Sequence, residues 1–278
     1  MKYDPIKASL GSVVRRSPLL RQLFYTVLGI MFLREWYVKR ELRRQLRRAS
    51  APFHIFDAGS GFGQYSYYMA RKFPAVSIRA VDVKEEQIED CRTFFDARGV
   101  RNCTFAIEDL LTITHQESFD FILSVDVMEH IADDRTVFRN FFRALRPGGR
   151  LFINTPSDRG GSDAGSSEDE SFIGEHARNG YGSAEIREKL ESEGFTVDYV
   201  VYSYGAYGSI AWRIGIKVPM LLLNISKVFF LALPVYYLLT LPIVLPLMAI
   251  DYAGTNRTGT GLNVLASKPE SDPLRPGR

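Results

Sequence analysis

From Pro52 to Tyr202 the sequence alternates short apolar runs with amphipathic stretches, and that alternation leaves few architectures open. The runs are FHIFD (53–57), VSIRAVD (76–82), CTFAI (103–107), FDFILSV (119–125), RLFIN (150–154) and FTVDYVVY (195–202). Between them the spacing predicts helices over about 64–72, 84–97, 133–145 and 183–193, the third stopped by Pro147-Gly148-Gly149. Strands separated by helices pair in parallel, with the crossovers on both faces of an α/β sheet. GLNVLAS (261–267) reads as one further strand, so the chain between 203 and 259 has to leave the sheet and return to it.

The first strand runs into Asp57-Ala58-Gly59-Ser60-Gly61-Phe62-Gly63, and a helix follows. A glycine turn there brings backbone and a helix N-terminus close to a ligand. A dinucleotide and S-adenosyl-L-methionine compete for such a loop. The dinucleotide pattern G-x-G-x-x-G fails, because the last position counted from Gly59 is Gln64. Asp57 also speaks against a pyrophosphate, which a close carboxylate would repel by about several kcal/mol at low effective dielectric. S-adenosyl-L-methionine carries an ammonium and a sulfonium, which Asp57 would favour either directly or by fixing the loop. Asp82, ending the second strand, is placed to accept from ribose hydroxyls, and Asp109, after the third, to meet an adenine amine. The competing reading is a glycine turn with incidental acids.

These motifs resemble the class I S-adenosylmethionine-dependent methyltransferases, in particular the type 11 group that includes ubiquinone-biosynthesis O-methyltransferases. DAGSGFG (57–63), AVDV (80–83), EDL (108–110), SVDVMEHI (124–131) and LRPGG (145–149) carry the resemblance, which covers about residues 50–200 and the last strand. It implies a Rossmann-like seven-stranded sheet whose last strand runs antiparallel between strands five and six. It implies cofactor contacts at Asp57, Gly59, Ser60, Gly61, Gly63, Asp82, Val83, Asp109, Leu110 and Ser124. The motifs are specific for fold and cofactor and say nothing of the acceptor. Some ubiquinone-type relatives bind a divalent ion at the positions of Asp126, Glu129 and His130, and that oxygen and imidazole set suits one. Methyl transfer is an in-line displacement, and a base is needed only where the nucleophile carries a tightly held proton. His130 and His176 are the candidate bases; the alternative is that His130 orients its turn and His176 is a solvated residue of the loop 155–182.

Charge argues for a membrane rather than a nucleic acid. The 278 residues hold 35 Lys+Arg against 32 Asp+Glu, net +3, but residues 34–48 alone carry seven basic and two acidic side chains. A local basic patch of this kind is not the spread charge of a nucleic-acid groove. The two cysteines, Cys91 and Cys103, are too few for a disulfide framework. Leu23 to Leu33 is an apolar run with a signal-peptide flavour, yet Arg34 and Glu35 follow where small residues belong. Val228 to Ile250 has no charge and is long enough to cross a bilayer. A single crossing would strand the last sheet element on the wrong side. The block is therefore expected to enter and return on one side, as a hairpin broken near Lys227 or the prolines or as interfacial helices. The implied organisation is a basic amphipathic helical segment (1–50), a methyltransferase domain (51–202), an apolar helical insertion (203–259) and a last strand with its tail (260–278). The expected protein is a membrane-associated methyltransferase on the cytoplasmic side, with a lipophilic small-molecule acceptor and no nucleic acid. The alternatives are a soluble enzyme with a hydrophobic lid, an NAD-type oxidoreductase and a non-catalytic scaffold.

Overall fold

The computed structural model describes residues 17–47, 49, 52–159 and 177–270. Seven strands form one sheet: β1 (Phe53–Ala58), β2 (Val76–Asp82), β3 (Cys103–Ile107), β4 (Phe119–Val125), β5 (Leu145–Pro156), β6 (Thr196–Ser203) and β7 (Gly261–Ser267). Their order is β3-β2-β1-β4-β5-β7-β6. The first five are mutually parallel, and β7 is antiparallel to both β5 and β6. The order reverses between β1 and β4, which opens a crevice at their carboxyl ends.

Period-two alternation divides the core between the two faces. Phe56, Ile122 and Ile153 point to one face, where they pack with Val137, Phe138 and Phe141 of α5 (Asp134–Ala144) and Ile186 and Leu190 of α6 (Ser183–Ser192). Their neighbours Ile55, Phe121 and Phe152 point to the other, against α2 (Leu33–Leu46), α3 (Gln64–Lys72) and α4 (Glu85–Ala97). Helix α5 begins on Asp133, whose carboxylate accepts from the Thr136 amide at 3.2 Å, and ends at Ala144 as the Pro-Gly-Gly triplet requires. That triplet loops out of β5, so Leu145 pairs with Phe119 and the next pair is Arg150 with Phe121. Cys91 and Cys103 are both buried free thiols.

The apolar N-terminal run forms α1 (Pro18–Met31), and the basic segment forms α2. Val38, Leu42 and Leu46 of α2 are buried against the sheet, while Arg40, Arg43, Arg44 and Arg47 stay exposed. Between β6 and β7 the chain builds a helical hairpin. One arm is α7 (Ala206–Trp212), a π-helical stretch (Arg213–Lys217) and α8 (Val218–Ile225); a 3₁₀ turn (Lys227–Leu231) leads into the other, α9 (Leu233–Ala253). The reversal lies at Lys227, as expected, whereas Pro242 and Pro246 sit inside α9 without ending it. Widened turns in the π-helical stretch free carbonyls that two tyrosines take up: Tyr236 donates to Ile214 O at 2.7 Å and Tyr237 to Gly215 O at 3.0 Å. The base packs on α2 through Leu33, Tyr37, Ala211, Val244 and Met248. There the buried Asp251 carboxylate accepts from the Tyr37 hydroxyl at 3.0 Å, the Gly208 amide at 3.1 Å and Asn256 at 3.1 Å. Arg40 donates to Tyr252 O at 2.9 Å near the C-terminus of α9, where a cation complements the helix dipole. Beyond this base, from 220 to 243, no residue is buried.

Candidate functional site

The turn after β1 is held from below by two amides, Gly59 N and Ser60 N, which donate to Val81 O at 2.9 and 2.8 Å. Gly59 has φ +82, and a Cβ there would overlap the Val127 side chain in the segment after β4. Gly61 has φ +51 and no atom within 4 Å of its Cβ position, so the loop presents open backbone on that side. Gly63, φ +73, caps α3 in the left-handed region. Asp57 is 3% exposed and accepts from the Ser66 hydroxyl of α3 at 2.5 Å. Burial pushes its carboxyl up to about 7, the Ser66 hydrogen bond opposes that rise, and the charge of Asp82 adds to it. Asp57 thus ties the loop to the helix from behind. Asp82 accepts from Gly61 N and Lys84 N, both at 3.0 Å, and Asp109 accepts from Leu111 N at 2.9 Å.

Two hydroxyls in this cradle, Ser60 Oγ and Ser124 Oγ, are buried without a hydrogen-bond partner among the described residues. Buried polar groups are rarely left so. Val83 is 60% exposed beside Asp82 and offers an apolar wall. Leu110 does not: it is packed in the core against α5, because its carbonyl is held by Asn140 at 2.9 Å and its side chain turns inward. The exposed apolar side chains on this rim are Val83, Ile107 and Leu111.

The metal expectation at Asp126, Glu129 and His130 fails on geometry. Among the described residues no three His, Cys, Asp or Glu side chains converge on an ion site. Asp126, at φ +52, ion-pairs with Arg34 of α2. Glu129 is buried and accepts from the Thr155 hydroxyl at 3.0 Å, and burial raises its carboxyl above the usual range. His130 is exposed on a 3₁₀ turn (Met128–His130). His176 lies outside the described residues. Arg178 and Tyr181 clasp the returning segment to the start of α5: Asp134 pairs with Arg178 at 2.6 Å and accepts from the Tyr181 hydroxyl at 2.8 Å.

The N-terminal helices supply residues that the sequence reading missed. Arg21 of α1 donates to Phe62 O inside the glycine turn at 2.7 Å, to Asp90 at 2.8 Å and to the Tyr25 hydroxyl at 2.7 Å, while its guanidinium stacks on Phe94 at 4.6 Å. Tyr25 also donates to Phe62 O. The signal was present, since Arg21 is the one charge in Pro18–Leu33 and a cation in an apolar stretch needs a buried partner. Arg21→Met is expected to lower the unfolding free energy by about 3 kcal/mol, because Asp90 and Phe62 O lose their donors. Chemical denaturation reads that loss, and faster amide exchange at Gly61 and Gly63 would locate it in the loop.

The sequence model of the family described as "Methyltransferase domain" matches residues 50–194, more than half of the chain. The chain belongs to that family. Phosphoethanolamine N-methyltransferase 1 of Arabidopsis thaliana is 28% identical over 155 residues, 54% of this chain and 29% of that protein. Methyltransferase GfsG of Streptomyces halstedii is 33% identical over 106 residues, 37% of this chain and 38% of that protein. The methyltransferase domain thus spans well under two thirds of these relatives. A ubiquinone biosynthesis O-methyltransferase of Coxiella burnetii is 27% identical over 103 residues, 37% of this chain and 43% of that protein. Among solved structures, phosphoethanolamine N-methyltransferase 2 of Haemonchus contortus, in complex with S-adenosyl-L-methionine, superposes with a TM-score of 0.60 at 20% identity. That match covers 84% of this chain and 53% of the other. The [4+2]-cyclase SpnF superposes with a TM-score of 0.59 at 17% identity, covering 84% and 81%. The methyltransferase domain therefore shares its fold with a protein named for a different reaction, and the reaction has to be argued from the site.

Proposed function

We propose that the chain is an S-adenosyl-L-methionine-dependent methyltransferase that works at the cytoplasmic face of a membrane on a lipophilic small-molecule acceptor. The observation that carries the cofactor assignment is the pair of buried hydroxyls, Ser60 and Ser124, that have no partner among the described residues, beside open Gly61 backbone and two acids. This set fits a ligand with hydrogen-bonding groups and positive charge. Asp57, behind the turn, contributes its field and holds the loop; Asp82 keeps lone pairs for ribose hydroxyls; Val83 covers an adenine face. The cofactor supplies a methyl group on a cationic sulfur, so the protein has mainly to orient the partners and exclude water. His130, on the turn that Gly59 abuts through Val127, is our candidate to take up an acceptor proton.

The acceptor class follows from the hairpin. Leu221, Ile225, Leu231, Val235, Leu238 and Leu239 are all exposed, and each favours an apolar medium by about 1.5–3 kcal/mol over water. α9 is long and apolar enough to cross a membrane, and little of it is buried in the fold. A soluble acceptor gives no reason for such a surface.

Incubation with methyl-labelled cofactor and either a lipid extract or an aqueous extract of host cells tests both parts. Label is expected in the lipid phase. Label confined to aqueous products would sink the acceptor assignment. No label in either, with no cofactor binding by calorimetry, would sink methyl transfer itself.

A further inference from the structure

The two arms of the hairpin differ in a way that says how it meets lipid. The first arm and the turn carry the cations Arg213, Lys217 and Lys227, whereas no charge occurs from Val228 to Ile250. The outer side of α9 carries Val235, Leu238, Leu239, Ile243 and Ile250, all exposed and spaced along one ridge at three- and four-residue steps. The opposite side, through Val244 and Met248, packs on the base. α9 is 21 residues long, about 31 Å, so the ridge is an extended surface. Both ends of the insertion are tied to one antiparallel strand pair, with Ser203 of β6 opposite Gly261 of β7. Three hydrogen bonds hold the reversal: Ser226 Oγ accepts from Val228 N at 3.3 Å, Phe229 N donates to Ser226 O at 3.1 Å and Ala232 N to Phe229 O at 3.0 Å.

We infer that the hairpin is a monotopic anchor that lies flat in one leaflet, with the α9 ridge among the acyl chains and Lys227 of the turn at anionic headgroups. This inference rests on the membrane reading above and names its partner as an anionic lipid leaflet. A crossing would take Lys227 through the hydrocarbon; a flat seating lets its four-carbon stem reach back to the phosphates. A protein partner would cover one stripe of a helix, whereas residues 220–243 include none that is buried on any side. Lys227 adds an attraction that neutral lipid does not provide.

The test uses the full chain and vesicles of phosphatidylcholine, with or without about one third phosphatidylglycerol. Wild-type protein is expected to sediment with both and more tightly with the anionic ones, the difference vanishing in high salt. The double variant Leu239→Glu, Ile243→Glu is expected to lose at least tenfold in partitioning to both. Lys227→Gln is expected to lose only the anionic preference. A fluorophore on the thiol of a Leu238→Cys variant, with Cys91 and Cys103 buried, is expected to be quenched by nitroxides on acyl chains more than by nitroxides on headgroups. Unchanged cofactor binding by the variants excludes misfolding. The inference is overturned if the wild type stays in the supernatant, if the acidic ridge variant binds like wild type, if a reagent sealed inside the vesicles reaches the thiol introduced by Leu238→Cys, or if a stable dimer forms with the ridge protected and no lipid bound. Methyl transfer to a detergent-solubilised acceptor needs no vesicle, so its persistence after a failed sedimentation would sink the anchor and leave the enzymatic proposal standing.

Discussion

Gly59→Ala is expected to abolish binding of S-adenosyl-L-methionine, with at least a hundredfold loss of affinity, and to destabilise the fold by about 3 kcal/mol. Two costs combine. An L-residue at φ +82 is strained by about 1–2 kcal/mol, and the added methyl overlaps Val127. The overlap can be relieved only by moving the segment after β4 or by unseating the amides of Gly59 and Ser60 from Val81 O, and either move deforms the cradle. The double variant Gly59→Ala, Val127→Ala removes the overlap and leaves the strain. It is expected to recover part of the stability and little of the affinity. Calorimetric titration and urea denaturation of wild type and the two variants separate these effects. An alanine at 59 that binds the cofactor within threefold of wild type would remove the glycine turn from the site.

Asp57→Asn is expected to move stability and binding in opposite directions. Burial holds the Asp57 carboxyl at about 7, against an ordinary 3.8. The unfolded chain releases this proton near pH 4 and the folded chain only near pH 7. Stability from this group is therefore complete below pH 4 and drains away as pH rises to 7, by about 4 kcal/mol for a three-unit shift. Asparagine keeps the shape and still accepts from Ser66, but never has to ionise. The variant should match wild type at pH 4 and exceed it at pH 8. Cofactor binding runs the other way, because a cationic ligand draws on the ionised carboxylate. Wild-type affinity should fall as pH drops below 7, and the variant's should be lower and flat. Thermal melts and titrations between pH 4 and 8 check both. A wild-type affinity that ignores pH would show that Asp57 serves the loop and not the ligand's charge.

Much of this arrangement was legible because it is written in near neighbours. The alternation of Ile55 with Phe56, Phe121 with Ile122 and Phe152 with Ile153 places each on its face of the sheet with no knowledge of the rest of the chain. That the insertion reverses followed from the need of two strands to return to one sheet, whereas the choice of Lys227 over the prolines did not. What was hidden depends on partners far along the chain. Arg34 meets Asp126, and Arg21 meets Phe62 and Asp90, only once α1 and α2 have folded over the carboxyl edge. Those pairings turned a row that read as a metal set into an ion pair, a buried carboxylate and an exposed imidazole. Leu110 carried the right motif position, but its side chain is packed in the core, and the hold of Asn140 on its carbonyl has no signature in EDL itself.

Consecutive side chains at the start of α2 serve the hairpin and the cradle. Leu33 is buried in the base of the hairpin, and Arg34 grips Asp126 at the rim of the cradle. No spare linker lies between them to act as a joint. If the hairpin rests in lipid, the start of α2 fixes how far the rim stands off from the bilayer, and an acceptor has to be long enough, or lifted far enough, for its reacting atom to meet that fixed elevation.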